Sequence, residues 1–256
     1  MHATGLQILG DVRRMQDQYA DAEDLLTRAK EIYLKIGHLL GCAWCLHSLG
    51  WLKRIQAQYS QEALLARAEE IFEQIGNQQG AAQCLRSMGE IRRMQKQYPE
   101  AELLLTQGKE MFGMVGDQLG IARCLQSLGE VRKMQAEYSE ADDRFQKAKK
   151  IFEKIGKQQG SAQCLYSMAD IKRIQDQHLE SEQFANQAKQ IFEKIGDQLG
   201  VAQTLQCLGK LRDNQGQYLE AEDLLSQAKN IFERIGDVLG MNQCLQSLEL
   251  IPNTPY

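Results

Sequence analysis

The sequence predicts an all-α fold, a solenoid of antiparallel helix hairpins, on three observations. One stretch, Asp117 to Gly156, is repeated in register about six times along the 256 residues. Each copy carries two apolar stripes at helical spacing. Only Pro99, Pro252 and Pro255 interrupt the chain, as an almost wholly helical protein requires. Self-similarity of this kind marks stacked units that cannot bury their apolar faces alone.

The register is carried by a small residue, Gly10, Gly50, Gly89, Gly129, Ala169 and Gly209. A ring follows nine positions later, at Tyr19, Tyr59, Tyr98, Tyr138, His178 and Tyr218. The step is 40 residues except from Gly50 to Gly89, where it is 39, and the residue is lost between Tyr59 and Leu64. In the copy at 117–156, Ile121, Cys124, Leu125, Leu128 and Val131 predict a first helix, A, over roughly 118–135. Ala141, Phe145, Ala148, Phe152 and Ile155 predict a second, B, over about 139–154. Ser139 with Asp142 reads as a capping box with the shorter acid. Gly156 is placed to end helix B in the left-handed conformation, after which Asp117, Asp197, Asp237 or Asn77 caps the next helix A. The predicted hairpins are 1–40, 41–79, 80–119, 120–159, 160–199 and 200–239, followed by a last helix at 240–251 and a tail at 252–256. One elongated domain over 1–251 is expected.

Leu128-Gly129, Tyr138, Ala141, Phe145 and Ala148 resemble the small-and-large signature of the tetratricopeptide repeat. The 40-residue period and the Ile-Gly-Asp-Gln-Leu-Gly connection are similar to the longer variety in kinesin light chains, G-protein signalling modulators and fungal NACHT-associated arrays. The resemblance runs over almost the whole chain and implies a right-handed superhelix with a concave groove lined by the A helices. Departures are Arg13, Lys53, Arg92, Arg132, Lys172 and Arg212, which stand where the family usually has an aromatic. Gly108 replaces an alanine, and repeat 5 carries Ala169, Ser181 and Ala185. These substitutions are expected to loosen local packing.

The net charge of −4 argues against nucleic acid, which asks for a clustered basic excess. No apolar run approaches membrane-spanning length and no leader pattern opens the chain, so a cytoplasmic protein is expected. Cys45, Cys84, Cys124, Cys164 and Cys244 share one core slot of successive A helices, with Cys42 and Cys207 besides. Helix axes about 8–10 Å apart exceed the roughly 7 Å limit for a disulfide, so free thiols are expected. His2, His38, His47 and His178 are scattered, and Cys42 with Cys45 is a lone CxxC, so no metal or other cofactor is predicted. No nucleotide-binding or hydrolase motif occurs; the glycines read as hairpin punctuation and an enzyme is not expected.

If the apolar residues of helix A face the core, Arg123, Gln126, Glu130 and Lys133 lie on the opposite stripe. Repeats 1, 3, 4 and 5 offer there an acid and, three residues on, a base: Asp11 and Arg14, Glu90 and Arg93, Glu130 and Lys133, Asp170 and Arg173, with Lys210 and Asp213 reversed in repeat 6. Two readings stand: solvated intrahelical pairs worth about 0.2–0.5 kcal/mol each, or two charge tracks along a groove. Gln83, Gln163, Gln203 and Gln243, with Gln7, Gln126, Gln206 and Gln246, add rows of amides that both donate and accept. Ser48, Ser87, Ser127, Ser167 and Ser247 occupy the slot where some family members grip peptide backbone with asparagine.

Repeat 2 departs most. Trp44, His47 and Trp51 fall at i, i+3 and i+7 on the polar stripe and include both tryptophans. They are either a binding anchor, since tryptophan is enriched at hot spots, or rings packed on the irregular helix B of repeat 2. Tyr166 is a second ring on the stripe. The candidate partner-binding residues are therefore Trp44, His47, Trp51, Arg86, Glu90, Arg93, Arg123, Gln126, Glu130, Lys133, Tyr166, Asp170 and Arg173. The function read from the sequence is a non-enzymatic scaffold holding a peptide or helix of a protein partner. The alternative is a structural, oligomerisation or sensor arm of a larger signalling ATPase, acting through its ends or convex face and self-associating through uncapped ends.

Overall fold

The computed structural model describes residues 3–16, 18–55 and 61–252, and its regular structure is helical throughout. The A helices are α1 (Ala3–Met15), α3 (Leu39–Ile55), α5 (Gln78–Met94), α7 (Gln118–Met134), α9 (Gln158–Ile174), α11 (Gln198–Asn214) and α13 (Val238–Leu250). The B helices are α2 (Tyr19–Lys35), α4 (Gln61–Gln74), α6 (Tyr98–Met114), α8 (Tyr138–Lys154), α10 (His178–Ile195) and α12 (Tyr218–Ile235). Tyr59, Met1, His2 and Pro255 lie outside the described residues, as does the side chain of Lys53.

The chain divides after Val131 into two compact units. In the first, each helix from α1 to α6 packs on the next within or between hairpins, and the A helices α1, α3 and α5 also touch in turn. In the second, α8 to α13 repeat the scheme, with α9, α11 and α13 in contact. The core is the predicted B stripe: Ala22, Leu26, Ala29 and Tyr33 in α2, and Ala221, Leu225, Ala228 and Phe232 in α12, are all buried.

Glycine serves two purposes here. Gly76, Gly116, Gly156, Gly196 and Gly236 end the B helices with φ between 69 and 77°, the left-handed region that costs other residues about 1–2 kcal/mol. The glycine third in each A helix from α3 to α13 is different: it is helical and gives the aromatic ring of the preceding B helix a seat. A Cβ on Gly200 would come within 2.3 Å of Phe192, and one on Gly120 within 2.3 Å of Phe112. These glycines are packing surfaces, a correction to their reading as punctuation.

The A helices are capped as expected: Asn77 and Asp117, Asp197 and Asp237 accept from the backbone N–H three residues on at 2.8–3.0 Å. His38 does the same through Nδ1 for Gly41 at 3.0 Å, which the sequence did not suggest. The Ser139–Asp142 capping box is not formed. Helix α8 starts at Tyr138 with Glu137 as its cap residue, so Ser139 is already inside the first turn and Asp142 accepts instead from Gln146.

The A-to-B turns place Lys96, Ala136 and Asp176 at φ of 61, 61 and 57°, whereas repeat 6 has Gly216 at 71°. Ala136→Gly should therefore stabilise the protein by about 0.5–1 kcal/mol, the left-handed penalty outweighing the entropy that glycine adds to the unfolded chain. A higher urea midpoint at unchanged m-value is the expected result.

The expected loosening is also corrected. The basic residues in the aromatic slot bind neighbouring helices: Arg92 pairs with Glu62 of α4 at 2.8 Å, Lys172 with Glu180 of α10 at 3.1 Å, and Arg212 with both Glu182 of α10 and Glu220 of α12. Arg132 pairs with Glu137 and Glu140. Repeat 5 is compensated. Gly89 and Gly209 leave room for Leu105 and Leu225, whose Cγ would lie 2.7 Å from an added Cβ. Where the small residue grows to Ala169, the facing residue shrinks to Ala185, and both stay fully buried. The Ser181 hydroxyl donates to the Ala169 carbonyl at 2.9 Å, satisfying the one polar group the exchange introduces.

Candidate functional site

The polar stripe of the A helices is built more tightly than solvated pairs would be. Among the expected acid–base pairs, Glu90 with Arg93 at 2.8 Å and Asp170 with Arg173 at 2.7 Å close within one helix at short range. Asp11 and Arg14 stand at 3.5 Å. The side chains are largely covered, Glu90 being 13% and Asp170 22% exposed. Lys133 reaches across to Asp170 at 3.3 Å, so the base of one repeat serves the acid of the next. Asp11 likewise accepts from Ser48 of the next A helix at 2.9 Å. Burial alone would raise the Asp170 carboxyl, but Lys133 and Arg173 outweigh it and hold it below the usual range. Burial opposes ionisation of Glu90 as well, and is overcome by Arg93, the Ser127 hydroxyl and Arg86.

The serines sit inside this lattice. Ser48, Ser87, Ser127 and Ser167 are buried, and Ser127 also donates to the Arg123 carbonyl at 3.0 Å. They tie A helices together and do not project as a ladder.

In the first unit the structure brings Trp44, His47, Trp51, Arg86, Glu90 and Arg93 onto neighbouring helices α3 and α5. Trp44 is half-buried and sits edge-on to Phe72 of α4, ring centroids 4.8 Å apart, and to His47 at 5.8 Å. His47 Nε2 lies 3.1 Å from the Ser87 hydroxyl. Its burial, and then the charges of Arg86 and Arg14, push the imidazole down to about 4. Trp51 lines a cavity of about 40 Å³ with Arg86, Ser87 and Glu90. The guanidinium carbon of Arg14 lies over the Trp51 ring, 4.6 Å from its centre, a cation–π contact. Arg14 was absent from the sequence-derived site. The signal was there: in repeat 2 the acid of the stripe is replaced by Trp51, so the base of repeat 1 meets a π face where other repeats offer a carboxylate. Gln126 and Glu130 are half-buried on α7, and Arg123 is exposed.

In the second unit Lys133, Asp170 and Arg173 form one cluster, and Tyr166 is half-buried and packs, as Phe184 and Leu224 do, against the core that includes Ala169, Ala185 and Leu208. All seven cysteines are free and buried. Burial pushes the thiols of Cys45, Cys124 and Cys207 up to about 12. These are core groups held as neutral thiols, not nucleophiles. Among the described residues no cluster of His, Cys, Asp or Glu is placed to hold a metal ion, and no helix is long and apolar enough to cross a membrane.

A family model described as tetratricopeptide repeat matches residues 161–234. No curated protein matches the chain in sequence. Among solved structures, a Rap conjugation gene regulator in complex with a Phr peptide is similar over 96% of this chain and 73% of its own, with a TM-score of 0.69 and 15% identity. A signal transduction ATPase with a tetratricopeptide repeat sensor from Pyrococcus horikoshii is similar over 94% of this chain and 37% of its own, with a TM-score of 0.74 and 14% identity. Kinesin-light-chain-type repeats from Podosopora anserina match over 75% of this chain and 95% of theirs, at a TM-score of 0.58 and 15% identity. At such identities the likeness establishes the fold, a solenoid of tetratricopeptide-like hairpins.

Proposed function

From the premise that this chain is built of tetratricopeptide repeats, we propose that it is a non-enzymatic scaffold that holds a peptide or helix of a protein partner against the polar stripe of its A helices. The observation that carries this is the aromatic break in that stripe. Trp44, His47 and Trp51 take positions that other repeats give mostly to Gln, Arg and acidic side chains, and although both tryptophans pack against the core on one side, all three side chains stay half-buried. Half-buried rings beside ordered charges are the surface that hot spots favour, and the preformed lattice lowers the ordering cost of binding. The Rap regulator, which shares the fold, is in complex with a peptide. Membrane and nucleic-acid partners are not part of this proposal, and the chain is read as cytoplasmic.

The test is a paired capture from cytosol with wild type and the Trp44→Ala, Trp51→Ala double variant, after circular dichroism shows equal helicity. Proteins retained by wild type should be lost from the variant, with dissociation constants at least about 30-fold weaker, as for a truncated hot spot of about 2 kcal/mol. Equal capture by both would assign the rings to packing.

The second reading, an assembly or sensor arm, would draw on apolar side chains left open on α1 and α13, as they also are at Leu179 and Leu219 within the chain. Met15 and Ile8 of α1 are 78% and 60% exposed, and Leu250 and Leu239 of α13 are 74% and 69% exposed. Concentration-dependent mass in light scattering, abolished by Leu239→Glu with Leu250→Glu, would establish it; a strict monomer would reject it.

A further inference from the structure

The outer face of α1 departs from the rest of the array. Ser48, Ser87, Ser127, Ser167 and Ser247 share one column of the A helices. Two of them reach back to the A helix before: Ser48 donates to Asp11 of α1 at 2.9 Å, and the Ser87 hydroxyl lies 3.1 Å from His47 of α3. In α1 the column holds Ile8, which has no polar group to offer. With Leu9, Val12 and Met15 at helical spacing it makes one apolar stripe, and all four side chains are exposed. Val12 is 41% exposed, whereas Leu52, Ile91, Val131, Ile171 and Leu211, in the same column, are exposed by 1% or less. Leu179 and Leu219 differ in this respect, since their column is exposed at Ala20, Pro99 and Ser139 as well. The charges of α1 are turned elsewhere: Asp11 and Arg14 meet each other and reach Ser48 and Trp51 of α3, and Arg13 bonds Gln18.

We infer that this face of α1 is a self-association surface whose occupant is α1 of a second copy, in a two-fold dimer; the inference narrows the second reading above to one end. An apolar stripe without charge is self-complementary. A two-fold axis across it lays the two helices antiparallel, as hairpin partners lie in this fold. A further repeat of the array's own kind is a poorer occupant, because Ile8 gives the polar stripe of another A helix nothing to bond. The α13 helix of another copy is poorer still. Its apolar residues are interrupted by Asn242 and Glu249, both exposed, in columns that elsewhere hold fully buried alanines such as Ala82 and Ala202 and small residues such as Gly89 and Gly209. A head-to-tail contact would set this polar pair against Ile8 and Val12 and run on into a filament, whereas the two-fold contact closes at two copies. The α1 helix has 13 residues, a length of about 20 Å. One such helix pair falls short of the roughly 800 Å² per partner of a stable interface, so the dimer is weak, with a dissociation constant in the micromolar range.

The experiment is sedimentation equilibrium of the intact chain from low to high micromolar concentration, with three variants of equal helicity by circular dichroism. Ile8→Lys with Val12→Lys charges the stripe, Ile8→Ser restores the serine of the other repeats, and Leu239→Glu with Leu250→Glu charges α13. Wild type should pass from monomer to dimer and no further. The double lysine variant should dimerise at least about 100-fold more weakly, as like charges meet across the axis, and Ile8→Ser about tenfold more weakly. The α13 variant should match wild type. Dimerisation unchanged by both α1 substitutions, association lost only with the α13 variant, or mass rising past the dimer would overturn this inference and leave end-mediated assembly standing. A wild type that stays monomeric throughout would overturn both.

Discussion

Gly200→Ala is expected to destabilise the protein by about 2 kcal/mol, although helix propensity alone predicts a gain of about 1 kcal/mol. Gly200 is the third residue of α11 and the floor under Phe192, which is fully buried. The new methyl would lie 2.3 Å from Cδ1 and 2.5 Å from Cε1 of that ring, far inside van der Waals contact. The ring is enclosed on all sides and cannot swing away, so α10 and α11 must separate and lose contacts along their length. Gly113→Ala is the control, because a Cβ there meets nothing within 4 Å and its exposed helical site should show the ordinary gain. Urea unfolding of the two variants should shift in opposite directions. Equal shifts would mean that the third-position glycine is no packing surface.

Stability should also fall by about 2 kcal/mol between pH 7.5 and pH 5 through His47 alone. Its folded-state imidazole is held at about 4, against about 6.5 when unfolded. The unfolded chain therefore binds the proton first. The stabilisation is complete above about pH 6.5 and is lost progressively as pH falls toward 4. Burial is the main cause, reinforced by Arg86 and Arg14, while Ser87 holds Nε2. Glu69, whose carboxyl is pushed up by burial and by Glu73 and Glu70, titrates in the opposite sense. The diagnostic quantity is thus the difference from His47→Gln, which carries the residue found at this position in repeats 4 and 6. Urea midpoints for the variant should vary less with pH than those of wild type; parallel curves would place His47 in solvent.

The fold was legible because each hairpin states it locally. The register of Ala141, Phe145, Ala148 and Phe152, the capping Asp117 and the left-handed Gly156 all stand where the period puts them. What periodicity does not reveal is which partner a side chain takes in the next repeat. Arg132 and Arg212 read as defects in an aromatic column, and became the ion pairs that fasten adjacent helices. Ala169 and Ala185 read as two weaknesses, and are one exchange of volume across a helix contact. The stripe was legible as polar, but its pairing was not. That Lys133 reaches Asp170 of the next A helix is decided by helix spacing, which the sequence does not carry. The second contact of Arg14 was missed for the same reason: beside Asp11 it takes an indole in the following repeat.

The most direct measurement is site-specific photo-crosslinking of a captured partner from two positions in the first unit. One is Gln126, half-buried on the A stripe of α7; the other is Gln107, exposed on α6. A partner peptide crosslinked from position 126 and not from 107 is the expected result. Crosslinks from 107 alone would contradict the proposal and move the binding surface to the B helices.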